Sequence, residues 1–293
     1  MKSNQQWLHL GLLLLTAFIW GNAFVAQSIG AGYIGPFVFM SLRTWLALIV
    51  LMPLFLSVYK KEKPDKAQRE TLIRGGLLCG VFLFLGSIFQ QIGIAYTTTA
   101  KASFITTLYM VFVPVVFVFL GKKPSVKIWA AVALGLVGLY LLCMKGDLSV
   151  NVGDLWMIVA ALAYTGQILM VNRTVDKVHP VLLSGMQFIS CGILSTVGAC
   201  FEPFDWQAVQ QALPTVLYAG IFSSGVGYTL QIIGQQKLNP TVASIAMCME
   251  SVFGALAGWL WLHQTLRPQE LLGCALMFAA ILITQIPEKK TAP

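Results

Sequence analysis

The chain has 293 residues, of which 57% are apolar and only 10% charged, with a mean hydropathy of +0.78 and a formal net charge of +8. Soluble domains carry about 25% charged residues, so a chain this poor in charge could not cover its own surface in water, and a bilayer takes water's place as its solvent. The positive charge points away from nucleic acid, because Lys and Arg sit in short connections between apolar blocks with no aromatic residues interleaved.

A hydrocarbon core ~30 Å thick needs roughly 20 apolar residues of helix. The first such block, 8–28, exceeds a signal-peptide core, is preceded only by Lys2, and has no A-x-A site after it, so it reads as a retained span. After Gly35-Pro36 comes the second, 36–58, and after a charged stretch from Lys60 to Arg69 the third, 72–95, with the fourth at 100–120. Lys122-Lys123-Pro124 precedes the fifth, 126–144; the sixth and seventh, 153–172 and 180–200, flank His179-Pro180. The eighth, ninth and tenth are 214–236, 241–262 and 268–286, divided by Asn239-Pro240 and Arg267-Pro268. Backbone groups cannot be left open in lipid, so the expected fold is an all-α integral membrane protein with ten transmembrane helices.

Ten spans put both termini on one side. Of the 19 Lys and Arg residues, fifteen fall on that side, three (Lys101, Lys145, Arg267) on the other, and Arg43 within a span. The positive-inside rule makes both termini cytoplasmic. Six cysteines (Cys79, Cys143, Cys191, Cys200, Cys248, Cys274) lie within the blocks without a C-x-x-C pair, which fits helix packing and neither a disulfide framework nor a metal site. His9, His179 and His263 sit at span ends, and no Walker A or H-E-x-x-H motif occurs, so no catalytic residue and no cofactor is expected.

The chain repeats itself. An offset of 141 residues matches eight of 27 positions across 86–112, including Gly86/Gly227, Gln90/Gln231, Gly93/Gly234, Ala102/Ala243, Ser103/Ser244 and Phe112/Phe253. An offset of 144 pairs Pro36 with Pro180, and one of 138 pairs Gly135 with Gly273. Residues 8–143 and 153–286 are therefore two five-span units, and five being odd, the second enters from the opposite face as an inverted repeat. Transporters use that arrangement to expose one midplane site to alternate sides.

Several segments resemble EamA-type members of the drug/metabolite transporter superfamily. Trp20-Gly21-Asn22-Ala23-Phe24 is similar to that family's W-G-x-x-F opening, and Phe39 to Arg43 to its F-x-x-x-R segment. Thr97 to Thr106 resembles its turn between helices 3 and 4. Glu250-Ser251-Val252-Phe253 resembles its E-P-V-F signature, with Ser251 in place of the proline. The resemblance implies a ten-helix, inverted-repeat transporter of the cytoplasmic membrane.

Ionisable groups inside spans normally face a bundle interior or water. Glu250 lies near the midplane and Arg43 seven residues past Pro36; the repeat pairs Glu250 with Tyr109 and Arg43 with Gln187, each pair expected on opposite sides of a central polar space. Gln90 and Gln231, with neighbouring Gln91, suit solute contact and helix–helix bonding equally. Trp20, Tyr164 and Tyr228 could wall a pocket, and Asn22 follows Trp20 in the resembling motif. The expected substrate pathway is thus Trp20, Asn22, Arg43, Gln90, Gln91, Tyr109, Tyr164, Gln187, Tyr228, Gln231 and Glu250, with Glu250 the proton-coupling candidate. Lys101 reads as a solvated helix end or an attractor of anions, Trp7 and Trp129 as interfacial belt residues, and Gly254/Gly258 as a close helix contact within the monomer or at a homodimer seam. The expected function is secondary transport, export of amino acids or similar polar metabolites by alternating access between the two units. A lipid flippase or non-transporting scaffold is the alternative.

Overall fold

In the computed structural model, residues 2–97, 99–143, 151–262 and 267–286 are described. The segment around His263, and Lys289 and Lys290 of the charge count, lie outside them. The described residues form ten helices long and apolar enough to cross a membrane. We number them α1 (Lys2–Ala31), α2 (Pro36–Glu62), α3 (Lys66–Ile94), α4 (Thr99–Phe119), α5 (Val126–Cys143), α6 (Val152–Thr174), α7 (Pro180–Ala199), α8 (Trp206–Gln235), α9 (Pro240–Leu262) and α10 (Pro268–Gln285). Large apolar side chains such as Ile49, Phe119, Val197 and Phe222 stand half or more exposed, as lipid contact requires. Trp7 and Trp129 are likewise exposed, near the starts of α1 and α5.

Local chemistry sets the boundaries. Proline opens α2, α7, α9 and α10 at the first helical position, where its missing N–H costs nothing. Three helices begin well ahead of the apolar pattern: α1 at Lys2, six residues before the expected 8, and two whose caps account for the extension. The reciprocal Asp65–Gln68 capping box starts α3 at Lys66, six residues ahead of the expected 72. Asp205 caps α8 at Trp206, so Pro214 lies inside that helix and not at its beginning.

Three spans are irregular where the sequence suggests continuous helices. The α4 helix is interrupted between Thr106 and Tyr109, and α9 at Cys248. Thr107 and Cys248 are mates at the 141-residue offset, and the Cys248 thiol donates to the Thr107 carbonyl at 3.4 Å. The two breaks therefore meet on the pseudo-twofold axis, and α9 breaks with Ser251 in place of the proline of the signature it resembles. In α8, Tyr218–Tyr228 winds as a π-helix. Gly220, Ser223, Ser224, Gly225 and Gly227 give that stretch little preference for the tighter α form.

Helix contacts come in symmetry-related pairs. α3 packs on α6 as α8 does on α1; α3 on α7 as α8 on α2; α4 on α6 as α9 on α1. Helices α2 and α7 pack together, as do α5 and α10. The first two helices of each repeat thus bind the third and fourth helices of the other, making one bundle of α1, α2, α8 and α9 and another of α3, α4, α6 and α7. Each five-span unit is therefore divided between the two bundles, where the sequence reading treats the units as separate bodies.

The repeated glycines show why the duplication persists in sequence. A Cβ on Gly86 would lie 2.8 Å from the Tyr164 ring, and one on Gly227 would lie 2.6 Å from Trp20 Nε1. Both mates admit an aromatic ring from the first helix of the opposite repeat. In α5 and α10 the close approach pairs Gly138, and not Gly135, with Gly273, which shifts the register read from sequence by three residues. Gly254 meets Gly21 of α1 inside the monomer.

A Gly138→Ala methyl would sit 2.7 Å from the Gly273 carbonyl oxygen and 2.9 Å from the Met277 nitrogen. Backbone cannot swing aside, so we expect a loss of about 1–3 kcal/mol and a lower thermal midpoint of the detergent-purified protein. Gly11→Ala, with nothing within 4 Å of the added carbon, should leave that midpoint unchanged or raise it.

Candidate functional site

Between the two bundles lies a narrow cavity with about 30 Å³ of room, enough for one or two waters. Its lining comes from α1, α2, α3, α4, α6, α8 and α9. On α1 the lining positions are Trp20, Ala23, Phe24 and Gln27, one face of a helix at the i, i+3, i+4, i+7 spacing. Twelve of the sixteen lining residues are mates under the repeat. An offset of 141 relates Thr106 to Met247, Gln90 to Gln231 and Tyr109 to Glu250; an offset of 144 relates Trp20 to Tyr164, Ala23 to Gln167 and Phe24 to Ile168. The cavity therefore sits on the pseudo-twofold axis, symmetric in position and asymmetric in chemistry.

Each polar group is held by a specific partner. The Tyr109 hydroxyl donates to Glu250 Oε1 at 3.2 Å, joining symmetry mates across the axis, where the sequence places them on opposite sides of the space. Beside them the Ser103 and Ser251 hydroxyls are hydrogen-bonded. The Tyr164 hydroxyl donates to Gln90 Oε1 at 3.0 Å, and Gln90 Nε2 donates to Thr106 Oγ1 at 3.3 Å. Gln231 and Gln167 exchange amide bonds at 2.9 and 3.3 Å. Gln90 and Gln231 accordingly line the cavity and tie helices together at once. The π-helical turn brings Ser223 and Ser224 to Arg43, whose Nη2 and Nε donate to their hydroxyls at 3.0 and 2.9 Å. It also presents the Ser223 carbonyl to Trp20 Nε1 at 3.0 Å, and the Trp20 and Tyr228 rings pack at a tilt of 53° with centroids 4.8 Å apart. π-helical turns recur at functional sites because they free backbone groups in this way.

Of the residues expected from sequence, the structure brings Trp20, Arg43, Gln90, Tyr109, Tyr164, Tyr228, Gln231 and Glu250 to the cavity. Three lie elsewhere. Asn22 donates to the Phe18 carbonyl and sits in an apolar groove with Val25, Ile29 and Tyr218, because two residues past Trp20 is the other side of α1. Gln91 is fully buried and donates to the Gln27 carbonyl, tying α3 to α1. Gln187 accepts from Gln167 behind the lining. The sequence reading missed Gln27, Gln167 and Ser223; Gln27 Oε1 is buried without a partner at the cavity wall.

Outside the cavity, Lys101 is neither a solvated end nor an open attractor, since its Nζ lies 2.6 Å from Asp154 Oδ2, which is 3% exposed. Thr97 also donates to Asp154, and Asn151 and Asp154 cap α6 reciprocally, so the α3–α4 turn is fastened to the start of α6. The counterparts of Lys101 and Asp154 are Val242 and Leu10, both apolar. Among the described residues, no group of three or more His, Cys, Asp or Glu could hold a metal ion.

The EamA-like transporter family matches residues 7–144 and again residues 151–286. The chain is similar to an uncharacterized transporter of Archaeoglobus fulgidus, 28% identical over 275 residues, covering 94% of this chain and 84% of that one. It is also similar to the uncharacterized transporter YoaV of Bacillus subtilis, 24% identical with 93% and 94% covered. A chloroplastic WAT1-related protein of Arabidopsis thaliana is 25% identical, with 94% of this chain and 69% of that one covered. A solved structure, described as the crystal structure of a protein, superposes with a TM-score of 0.75 at 17% identity, covering 94% of this chain and 96% of that chain, which speaks to the fold alone. With nearly the whole length matched in two successive stretches and ten spans in place, the chain belongs to the EamA-like transporter family and is a multi-pass membrane transporter.

Proposed function

We propose that this protein is a secondary transporter of the cytoplasmic membrane, with both termini in the cytoplasm. It exports an amino acid or a metabolite of like size and polarity by alternating access. The observation that carries this reading is the narrow cavity of mixed polar and apolar lining on the pseudo-twofold axis, with two of its walls, α4 and α9, broken at matched positions. Discontinuous helices at a repeat interface are where secondary transporters bind solute.

The cavity is closed in this conformation: Arg43, Gln90, Tyr109, Tyr164, Tyr228 and Glu250 are each at most 8% exposed. Room for one or two waters is too little for a metabolite, so the bundles must part to admit one. Besides those of the α2–α7 contact, the bonds spanning them are short and exchangeable, among them Tyr109–Glu250, Ser103–Ser251, Cys248–Thr107, Ser184–Thr229, Gln167–Gln231, Gln91–Gln27 and the Tyr228–Tyr164 contact at 3.5 Å. Hydrogen bonds contribute about 0.5–1.5 kcal/mol each between neutral groups and about 1.5–3 kcal/mol where a charged group takes part, a scale that contacts to a solute can replace. The moving bodies are the mixed bundles, with α2–α7 and α5–α10 as the contacts about which they turn.

Glu250 is the proton carrier in this scheme. Its Oε1 accepts from one tyrosine hydroxyl, and it is the acid that lines the cavity, as intramembrane proton relays require. In proteoliposomes bearing a pH gradient and tested against an amino-acid panel, Glu250→Gln should reduce gradient-driven transport to background while retaining exchange of the same solute between the two sides. Gradient-driven transport at the wild-type rate would remove Glu250 from the role.

The orientation is tested with a native residue. Cys200 is exposed at the end of α7, on the face away from the termini, and Cys79, Cys143, Cys191 and Cys248 are buried. A membrane-impermeant maleimide should label intact cells through Cys200, and Cys200→Ser should abolish that labelling. Labelling of Cys200 only in inverted vesicles would reverse the topology.

A further inference from the structure

The cavity holds a cation with no carboxylate in ion-pair contact among the described residues, although Glu250, bonded to Tyr109, lines the same space. Arg43 is 2% exposed, and its two hydrogen bonds go to the neutral hydroxyls of Ser223 and Ser224. No ion pair to Arg43 exists among the described residues, where Lys101 and Asp154 form the salt bridge. A guanidinium offers five N–H donors, so groups beyond those on the serines remain for the cavity that Arg43 lines. Buried charges are ordinarily paired, since desolvating an ion costs several kcal/mol. A fold that keeps one unpaired at its central cavity keeps a seat for an anion.

A second observation has the same sign. On the face bearing the termini, a cleft of about 620 Å³ opens between the bundles. It is lined by Lys122, Lys123 and Lys127 together with Asn172, Asn239 and Thr241, and no Asp or Glu appears among its described lining residues. The cleft stops one helical turn from the cavity along α6 and about two turns from it along α8. On α6, Ile168 lines the cavity and Asn172 the cleft; on α8, Gln231 lines the cavity and Leu238 the cleft. Between Gln231 and Leu238 sits Gln235, fully buried, with neither amide atom partnered. On α9 the intervening Ala243 and Ala246 are small, whereas their mates near the opposite face are Ala102 and Ile105. Along α8 the polar groups thus run from Ser223 and Ser224 at Arg43, through Tyr228 and Gln231, to Gln235 and the basic cleft.

We propose that the transported solute carries a carboxylate or phosphate group, that Arg43 is its seat in the central cavity, and that the lysine-lined cleft is the port that collects it. This rests on the transporter reading above and narrows its substrate class. Lysines at a cleft with low-dielectric walls concentrate anions locally, and salt screens that effect over a Debye length of about 10 Å at 0.1 M. The guanidinium adds directional hydrogen bonds to the oxygens, which a lysine there could not match.

The test uses thermal stabilisation of the full-length protein in neutral detergent. The probes are acetate, succinate, glutamate, inorganic phosphate and pyrophosphate, set against neutral acetamide and succinamide and cationic putrescine. At least one anion should raise the midpoint saturably, and its neutral counterpart should not. Arg43→Gln should abolish that shift while leaving the ligand-free midpoint equal to wild type or higher, because it removes an unpaired buried charge. A residue serving structure alone would instead lower it. Arg43→Lys, which keeps the charge but not the fork, should retain a weakened shift. Lys122→Gln combined with Lys123→Gln should raise the half-saturating anion concentration about tenfold in low salt and leave it unchanged in high salt.

Stabilisation by putrescine or the amides alone, by no probe, or by anions equally in Arg43→Gln would overturn the proposal. A shift seen only with phosphatidylglycerol-doped micelles, abolished by the double lysine variant but not by Arg43→Gln, would assign the cleft to lipid headgroups and likewise overturn it. The same panel in proteoliposome counterflow separates this failure from that of the transporter reading. Exchange of a neutral or cationic probe would leave transport standing with the anion claim gone, whereas a protein exchanging none of the panel would lose both.

Discussion

Lipid lets a chain cross only as helices whose backbone bonds close on themselves, and a unit of five such helices ends on the face opposite to the one where it began. Duplicating that unit brings equivalent residues together about an axis in the membrane plane. The chamber follows from this geometry. Tyr109 and Glu250 touch because the axis passes between them, and the interruptions at Thr107 and Cys248 coincide for the same reason. Neither half encloses a cavity by itself; each supplies one wall to the other.

Symmetry of position has freed the two copies to diverge in chemistry. Ala23 stands opposite Gln167, Met247 opposite Thr106, and Arg43 has a mate, Gln187, that lies behind the cavity wall. The ion pair that fastens the α3–α4 turn to α6 likewise has only apolar counterparts at the α8–α9 turn. One bundle is therefore pinned by charge at its end, while the other holds a buried guanidinium against a π-helical turn. The duplication explains where the cavity is, and its departures from symmetry explain why the two halves of its lining differ in chemistry.

Much of this was legible in the residues. The apolar blocks gave the ten spans, and the 141-residue offset picked out Gln90, Gln231, Tyr109 and Glu250, because Gly, Gln and Ser do not recur by chance in apolar helices. The signal failed where the copies have drifted. Helices α1 and α6 share little identity, so Gln27 and Gln167 gave no sign of their place, although the spacing of Trp20, Ala23, Phe24 and Gln27 would have shown that Asn22 falls off their face. The π-helical turn was visible only as a Gly- and Ser-rich run. The exchange of helices between repeats left no trace, since lipid tails are as apolar as the faces that pack and association is decided by shape.

That exchange bears on how the protein is made. The partners of α1 are not its neighbours in sequence: Trp20 bonds to Ser223 and Thr16 to Gly227, 203 and 211 residues further along. At a synthesis rate of about 5–20 residues per second, the first helix waits on the order of 10–40 s in the membrane before its binding surface emerges from the ribosome. Through that interval its tryptophan indole lacks its native acceptor, whereas the Thr16 hydroxyl can already bond to the Leu12 carbonyl one turn back, so the indole is the group that biogenesis has to shelter until the second copy has been inserted.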